Sequence, residues 1–248
     1  MDLNADLGET VGGVATADDA AMFALVSSAS IACGGHAGDA ASMRTAVAGA
    51  AAARVAVGAH PSYLDRAGFG RVRVAVEPDV LRPQVVAQLR ALVAAGGDIR
   101  YVKPHGALYH AATEDAATAR AVAAAVADLS AELGRAVPVL GLGGAIASAA
   151  SDAGLPFHLE AFLDRGYRAD GSLVPRGAPG ALLDDPSLVA ERALRLASEG
   201  VVVAVSGETV HSEAASLCVH GDSPGAVAMA RAVRSALDAA GIEVRSPW

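Results

Sequence analysis

The chain has 248 residues, 53% of them hydrophobic, 19% charged and only 4% aromatic, with a formal net charge of −8. That apolar content excludes intrinsic disorder, and the acidic balance argues against a grip on nucleic acid or on an anionic membrane surface. The length suits one α/β domain spanning residues 1–248, large enough to need neither disulfides nor metal for stability.

In chain order, short β-type runs alternate with alanine-rich helical runs. Strands are expected at Asp2–Asp6, Ala29–Cys33, Val55–Ala59, Ile99–Lys103, Val137–Leu142, Phe157–Phe162, Val201–Val205 and Ser216–His220. Helices are expected near Asp18–Ser28, Ser42–Arg54, Pro78–Ala95, Glu114–Leu133, Ala145–Ala153, Pro186–Glu199 and Pro224–Ala240. Asp185-Pro186 and Ser223-Pro224 each place a capping side chain before a first-turn proline, and Gly134, Gly200 and Gly241 read as stop signals. Residues 165–183, rich in glycine and proline, read as a long irregular loop, and a hairpin is expected around Ser206-Gly207. The alternation implies a mostly parallel sheet with helices outside it. Polar residues recur after nearly every strand, which favours a closed barrel over an open sheet with one switch point. Two cysteines, Cys33 and Cys218, give no disulfide framework. With an amino terminus unlike a signal peptide, they point to a soluble, cytoplasmic protein.

The candidate chemistry lies just past the strand ends: Asn4, Asp6 and Glu9; Cys33, His36 and Asp39; His60, Asp65 and Arg66; Lys103 and His105; Glu160, Asp164 and Arg165; His220 and Asp222. Five of the seven histidines (36, 60, 105, 158 and 220) lie in or beside strands, and in parallel α/β folds such positions converge on one face. Of 19 basic residues, Lys103 is the only lysine; in so arginine-biased a chain it marks a place where a guanidinium does not substitute for a compact ammonium. Asp6, His36, His60, His105, His220 and Asp222 could ligate a divalent metal, yet no His-x-His or His-Glu-x-x-His spacing occurs, so no metal ligand set is assigned. The metal-free reading uses the same groups for proton transfer, with Lys103 and Arg165 anchoring a carboxylate or phosphate. Cys33 is a minor candidate nucleophile, Cys218 reads as core, and His110 and His211 read as surface or loop residues. The Gly141–Gly144 turn is a weak candidate phosphate cradle.

Six segments carry a resemblance: Asp2–Glu9 (DLNADLGE), Ile31–Asp39 (IACGGHAGD), Gly58–Tyr63 (GAHPSY), Val102–Tyr109 (VKPHGALY), Asp164–Tyr167 with Leu173–Arg176, and Cys218–Asp222 (CVHGD). Together they resemble the LamB/YcsF family, that of the A subunit of bacterial 5-oxoprolinase, over nearly the whole chain and in the same order. The resemblance implies an irregular TIM-like barrel of the glycoside hydrolase/deacetylase type. It also implies ATP-dependent opening of 5-oxo-L-proline to L-glutamate, with partner subunits B and C and ATP bound here or on a partner. Under it, Lys103 and Arg165 would hold anionic groups and His60 or Asp6 would serve as base. His36 and His105 would polarise the lactam oxygen, with His220 and Asp222 orienting the others. Two departures flank the expected site: Gly35 stands where the family usually has phenylalanine, and the segment after Glu9 is short. The competing readings are a stand-alone metal-dependent deacetylase or amidase and a non-catalytic carrier protein.

Overall fold

The computed structural model describes residues 1–248. The elements are β1 (Asp2–Leu7), β2 (Thr10–Val11), β3 (Val14–Ala15), α1 (Asp19–Phe23), β4 (Ser28–Ala32), α2 (Ala40–Ala53), β5 (Ala56–His60), α3 (Pro78–Ala94), β6 (Ile99–Val102), α4 (Gly106–Glu114), α5 (Ala116–Leu133), β7 (Val139–Gly141), α6 (Ala145–Asp152), β8 (Phe157–Phe162), α7 (Pro186–Glu199), β9 (Val201–Val203), β10 (Thr209–His211), β11 (Ser216–Cys218) and α8 (Ala226–Ala239). Seven strands, all parallel, close into a barrel in the order β1-β11-β8-β7-β6-β5-β4. Helices surround it, and no helix is long and apolar enough to cross a membrane.

The expected eighth strand, Val201–Val205, is not a barrel strand. Its β-branched residues make β9, which turns back through Ser206-Gly207 and pairs antiparallel with β10, so β8 pairs directly with β11. Helix α4 has no counterpart among the expected elements: it precedes the expected Glu114–Leu133 helix, which is α5, and Asp115 ends α4 while capping α5 through Thr118 N–H. Asp185 caps α7 as its Pro signal implies. Ser223 does not cap α8, whose first residue is preceded by Gly225; the Ser223 hydroxyl donates instead to Asp164 Oδ2 at 3.1 Å.

Side chains alternate across each strand, and here the inward set is polar. In β1 the apolar Leu3, Ala5 and Leu7 join the barrel–helix core, while Asn4 bonds Glu160 and Ser216, and Asp2 accepts from Ser28 and Ser216. The interior is therefore layered. At the amino-terminal end the Trp248 indole donates to Ser28 Oγ (2.9 Å) and packs on Tyr101 and His158, each 5.0 Å between ring centroids. His158 is thus remote from the other strand-end histidines. Asn4, Glu160, Lys103 and Cys218 fill the middle, and the carboxy-terminal rim holds the remaining histidines.

Gly58 leaves room for the Tyr101 ring inside this stack, and a Cβ there would overlap it. Trp248 and the Tyr101–Ser30 hydrogen bond (3.0 Å) block the ring's retreat. Gly58→Ala is expected to cost about 1–3 kcal/mol through overpacking, read as a lower urea midpoint with unchanged m-value.

Candidate active site

Parallel strands deliver their next residues to one rim. Asp6 is the penultimate residue of β1, with Glu9 just beyond the strand. His36 rides the loop after β4, His60 closes β5, and Lys103 and His105 follow β6. Asp164 and Arg165 follow β8, and His220 follows β11. All are buried. A small chamber of about 40 Å³ at the rim is lined by Asp6, His60, Lys103, His105, Arg165 and His220, together with Arg71, Tyr109, His110, Phe162 and Arg176. It adjoins a groove of about 1050 Å³; Arg71, His110, Arg165 and Arg176 line both.

Lys103 is not a free anchor for an external anion. Its side chain is 1% exposed, and the ammonium lies 2.7 Å from Asp6 Oδ1 and 3.0 Å from both Glu160 Oε1 and Asn4 Oδ1. Burial opposes its charge, but Asp6, Cys218 and Glu160 outweigh that and hold the ammonium well above its ordinary range. Burial likewise opposes the Asp6 carboxylate, and His60 and Lys103 more than offset it, keeping Asp6 well below the usual carboxylate range. Glu160 has both oxygens engaged, Oε2 accepting from Tyr109 O–H at 2.9 Å. Lys103 therefore fixes carboxylates in place.

Four imidazoles meet nearby. His60 Nδ1 donates to the Lys103 carbonyl at 2.7 Å, and His105 Nε2 donates to the Phe69 carbonyl at 2.9 Å. Their other nitrogens face each other at 3.0 Å, with Asp6 Oδ2 3.4 Å from His60 Nε2. His36 stacks on His105 (3.7 Å, 8°) and contacts Glu9 Oε1 at 2.9 Å. Neither His36 nor Glu9 lines the chamber. Burial pushes Glu9 up to about 8 and holds His36 and His105 well below the usual imidazole range. Across the chamber His220 Nδ1 donates to Asp164 (2.8 Å) while its ring stacks on Phe162; Nε2 has no partner within the chain. Asp6, His60 and His105 present ligand atoms within 4.8 Å of one another, as do Glu9, His36 and His105; either group could hold a divalent cation.

Arg165 is 3% exposed and makes no ion pair. It donates only to the Ala181 and Val174 carbonyls, at 3.1 and 2.7 Å. Burial and the nearby Arg176 lower it to about 10. Such a guanidinium at a chamber wall could seat an anion. Asp222 instead pairs with Arg71 at 2.5 Å on the rim. The segment before Arg71 straps the mouth: Phe69 takes a left-handed φ of 53°, and a Cβ at Gly70 would come within 2.8 Å of His36 and 2.9 Å of His105. Cys33 is inert, its thiol pushed up to about 12 by burial and its Sγ on the Ile31 carbonyl. Gly35 does not face the chamber; a Cβ there would overlap buried Gln88 and Ser62, so the Gln88 amide fills that space. Gly144 packs its backbone against Thr113, which accounts for that glycine turn without a phosphate. Sequence reasoning misses Arg71, Phe69 and Tyr109, and places His110 in a loop although it projects from α4. Tyr109 ends the Val102–Tyr109 segment without being singled out there, Arg71 and Phe69 fall in no motif, and the Phe69-Gly70 pair is their one local signal.

The LamB/YcsF family model matches residues 1–247. A Kocuria rhizophila protein described as the A subunit of 5-oxoprolinase is 51% identical over 251 aligned residues, covering 99% of this chain and 98% of its own. One from Corynebacterium jeikeium with the same description is 48% identical, covering 99% and 96%. The crystal structure of a lactam utilization protein from Thermus thermophilus superposes with a TM-score of 0.91 at 45% identity, covering 99% of this chain and 98% of that one.

Removing Lys103 leaves Asp6 and Glu160 buried without their cation. Lys103→Met is expected to lose about 3–5 kcal/mol at pH 7. Asp6, held below its unfolded value of about 3.9, contributes stability above that pH and loses it as the pH falls through the folded value. In the variant the orphaned carboxylates take up protons in mild acid, so the gap from wild type should narrow from pH 7 toward pH 4. Urea unfolding across that range measures it; a constant gap contradicts the assignment.

Proposed function

The chain belongs to the LamB/YcsF family, and from that membership and the rim geometry we propose that it is the A subunit of a 5-oxoprolinase. It opens the lactam ring of 5-oxo-L-proline to L-glutamate at the expense of ATP, in a complex with subunits B and C. The observation that carries this reading is Arg165, a buried guanidinium without an acid partner, beside an Asp164–His220 dyad whose Nε2 is free.

A five-membered lactam resists water because its carbonyl is amide-stabilised and its nitrogen leaves poorly. Phosphoryl transfer from ATP to the lactam oxygen releases ADP and makes the ring carbon electrophilic; water adds there, the C–N bond breaks as the nitrogen takes a proton, and a second water cleaves the resulting acyl phosphate to glutamate and inorganic phosphate. In this chamber Arg165 receives the substrate carboxylate and Arg176 adds positive charge at the entrance. His220 transfers the proton to the departing nitrogen, with Asp164 fixing its tautomer and stabilising the imidazolium. Asp6 and His60 take the proton of the attacking water, and His105 faces the lactam oxygen. Lys103 positions Asp6, His36 backs His105 through their stacked rings, and Asp222 holds Arg71 at the mouth.

The Asp6–His60–His105 donor set favours one alternative, a stand-alone metal-dependent amidase. A divalent ion held there would supply a polarised water. Dependence on ATP and on the partner subunits separates the two readings.

The reconstituted complex should release glutamate from 5-oxoproline only when ATP is present; ATP-independent release by this chain alone contradicts the proposal. Arg165→Gln is expected to raise KM for 5-oxoproline roughly a hundredfold or more, with Arg165→Lys between it and wild type. His220→Ala is expected to lower kcat about 10²- to 10⁴-fold with a small change in KM.

A further inference from the structure

Asp164 and Arg165, on which the proposed function rests, sit side by side in the bend that follows β8. Part of that bend is tied to main chain. Leu163 N–H donates to the Cys218 carbonyl, Gly166 N–H to the Ala181 carbonyl and Leu183 N–H to the Asp164 carbonyl, each at 2.9 Å. The carbonyls of Leu163 and Arg165 find their donor in a side chain instead. One terminal nitrogen of Arg192, on α7, donates to both, 3.2 Å from the Leu163 oxygen. The same guanidinium lies over the face of Tyr167, 5.6 Å from the ring centroid, and the Tyr167 hydroxyl accepts from Phe162 N–H at 2.6 Å. Two stacked side chains thus grip the backbone at residues 162, 163 and 165.

We propose that Arg192 is a positioning residue for the site: by bridging the carbonyls of Leu163 and Arg165 it aims the Asp164 carboxylate at His220 and the Arg165 guanidinium at the chamber. Those carbonyls belong to the rigid peptide planes that enter Asp164 and leave Arg165. Drawing both to one nitrogen fixes the directions in which the two side chains leave the backbone. Small errors matter there. Asp164 Oδ1 accepts from His220 Nδ1 at 2.8 Å, while Oδ2 accepts from Ser223 O–H and His220 N–H at 3.1 and 3.3 Å. Arg165 reaches the Ala181 and Val174 carbonyls from the same stretch of backbone. Charge explains why the clamp is a cation. Burial lowers the Arg192 guanidinium, and Tyr167 and Asp164 favour its charge. Arg192 thereby supplies positive charge near a buried carboxylate, yet leaves both of that carboxylate's oxygens to His220 and Ser223. A lysine could bridge the two carbonyls but could not lie flat on the tyrosine.

The inference rests on the roles given to Arg165 and His220, so one of its tests needs no turnover. In the full chain, proton NMR should show the hydrogen on His220 Nδ1 exchanging with solvent roughly tenfold or more faster in Arg192→Met than in wild type, with Arg192→Lys between them. Unchanged exchange in folded Arg192→Met overturns the inference. In the reconstituted complex, Arg192→Met should raise KM for 5-oxoproline and lower kcat, each roughly tenfold. The KM effect should vanish in an Arg165→Gln background and the kcat effect in a His220→Ala background, because a residue that acts through another then has nothing left to move. Effects that simply add in the double variants indicate a general loss of stability and overturn the assignment. Arg195→Met, which removes an exposed ion pair with Glu191 on the same helix, should leave exchange and kinetics at wild-type values; urea unfolding confirms that each variant is folded. If Arg165→Gln and His220→Ala alone leave KM and kcat unchanged, the lactam reading fails, and proton exchange still decides the role of Arg192.

Discussion

The interior of this barrel is organised by one ammonium group. Most parallel barrels fill their centre with branched aliphatic layers; here the middle layer is Asn4, Glu160, Cys218 and the Lys103 side chain that ties them together. A charge buried this deeply is tolerated only with good geometry and further hydrogen bonds on its partners. Those conditions are met: Asn4 also bonds Ser216, and Glu160 also accepts from Tyr109. Asp6 reaches the rim because one oxygen lies against that ammonium, and His60 is oriented by the carbonyl of the same lysine. Floor and rim are thus joined through a single residue. An arginine fork in its place would demand acceptors in one plane rather than around a compact head group.

The polar strand faces also explain what is legible in the sequence. Alternation in Asp2–Leu7, the punctuation at Asp185-Pro186 and Gly200, and the recurring strand-end histidines are enough for a closed α/β barrel with a polar rim. The strand count is not. Val201–Val203 has the β-branched content of a core strand, and only the return through Ser206-Gly207 removes it from the barrel. Within the candidate site, Asp6, His60, His105, Lys103, Arg165 and His220 come together at one chamber, while His36 stands behind His105 and Asp222 faces Arg71. A sequence places a residue at a strand end but does not say whether its charge is already spent. Lys103 and Arg165 look alike as cations after strands; one is surrounded by carboxylates and the other by carbonyls. The orientation of His60 and His105 is illegible for a related reason. Their partners are backbone carbonyls 43 and 36 residues away in the chain, and no side-chain spacing encodes such contacts.

Strain and closure concentrate where the chamber meets solvent. Phe69 adopts a left-handed conformation that non-glycine residues hold at a cost of about 1–3 kcal/mol, and its carbonyl is the one that orients His105. Gly70 lets the strap descend onto His36 and His105, while the Arg71–Asp222 pair ties its end to the loop after β11. The strap therefore has two tasks. It orients a rim histidine, and it covers His36 and His105 at the mouth.

The sizes of the two cavities constrain the chemistry further. A chamber of about 40 Å³ holds a few water molecules at most, less than a five-membered ring with its carboxylate, whereas the adjoining groove of about 1050 Å³ far exceeds such a ligand. Under the proposed function a substrate would straddle the two, its reacting carbon toward His60, His105 and His220 and its remaining groups along Arg165 and Arg176. Arginines at the junction and histidines inside separate binding charge from proton transfer. On that reading the anionic end would meet guanidinium groups that stay charged across the working pH range, and the reacting end imidazoles whose protons can move. The barrel enforces that division: the histidines follow short, rigid strands, and the arginines sit on the long segment 165–183 and the strap, the parts of the chain least bound to the sheet.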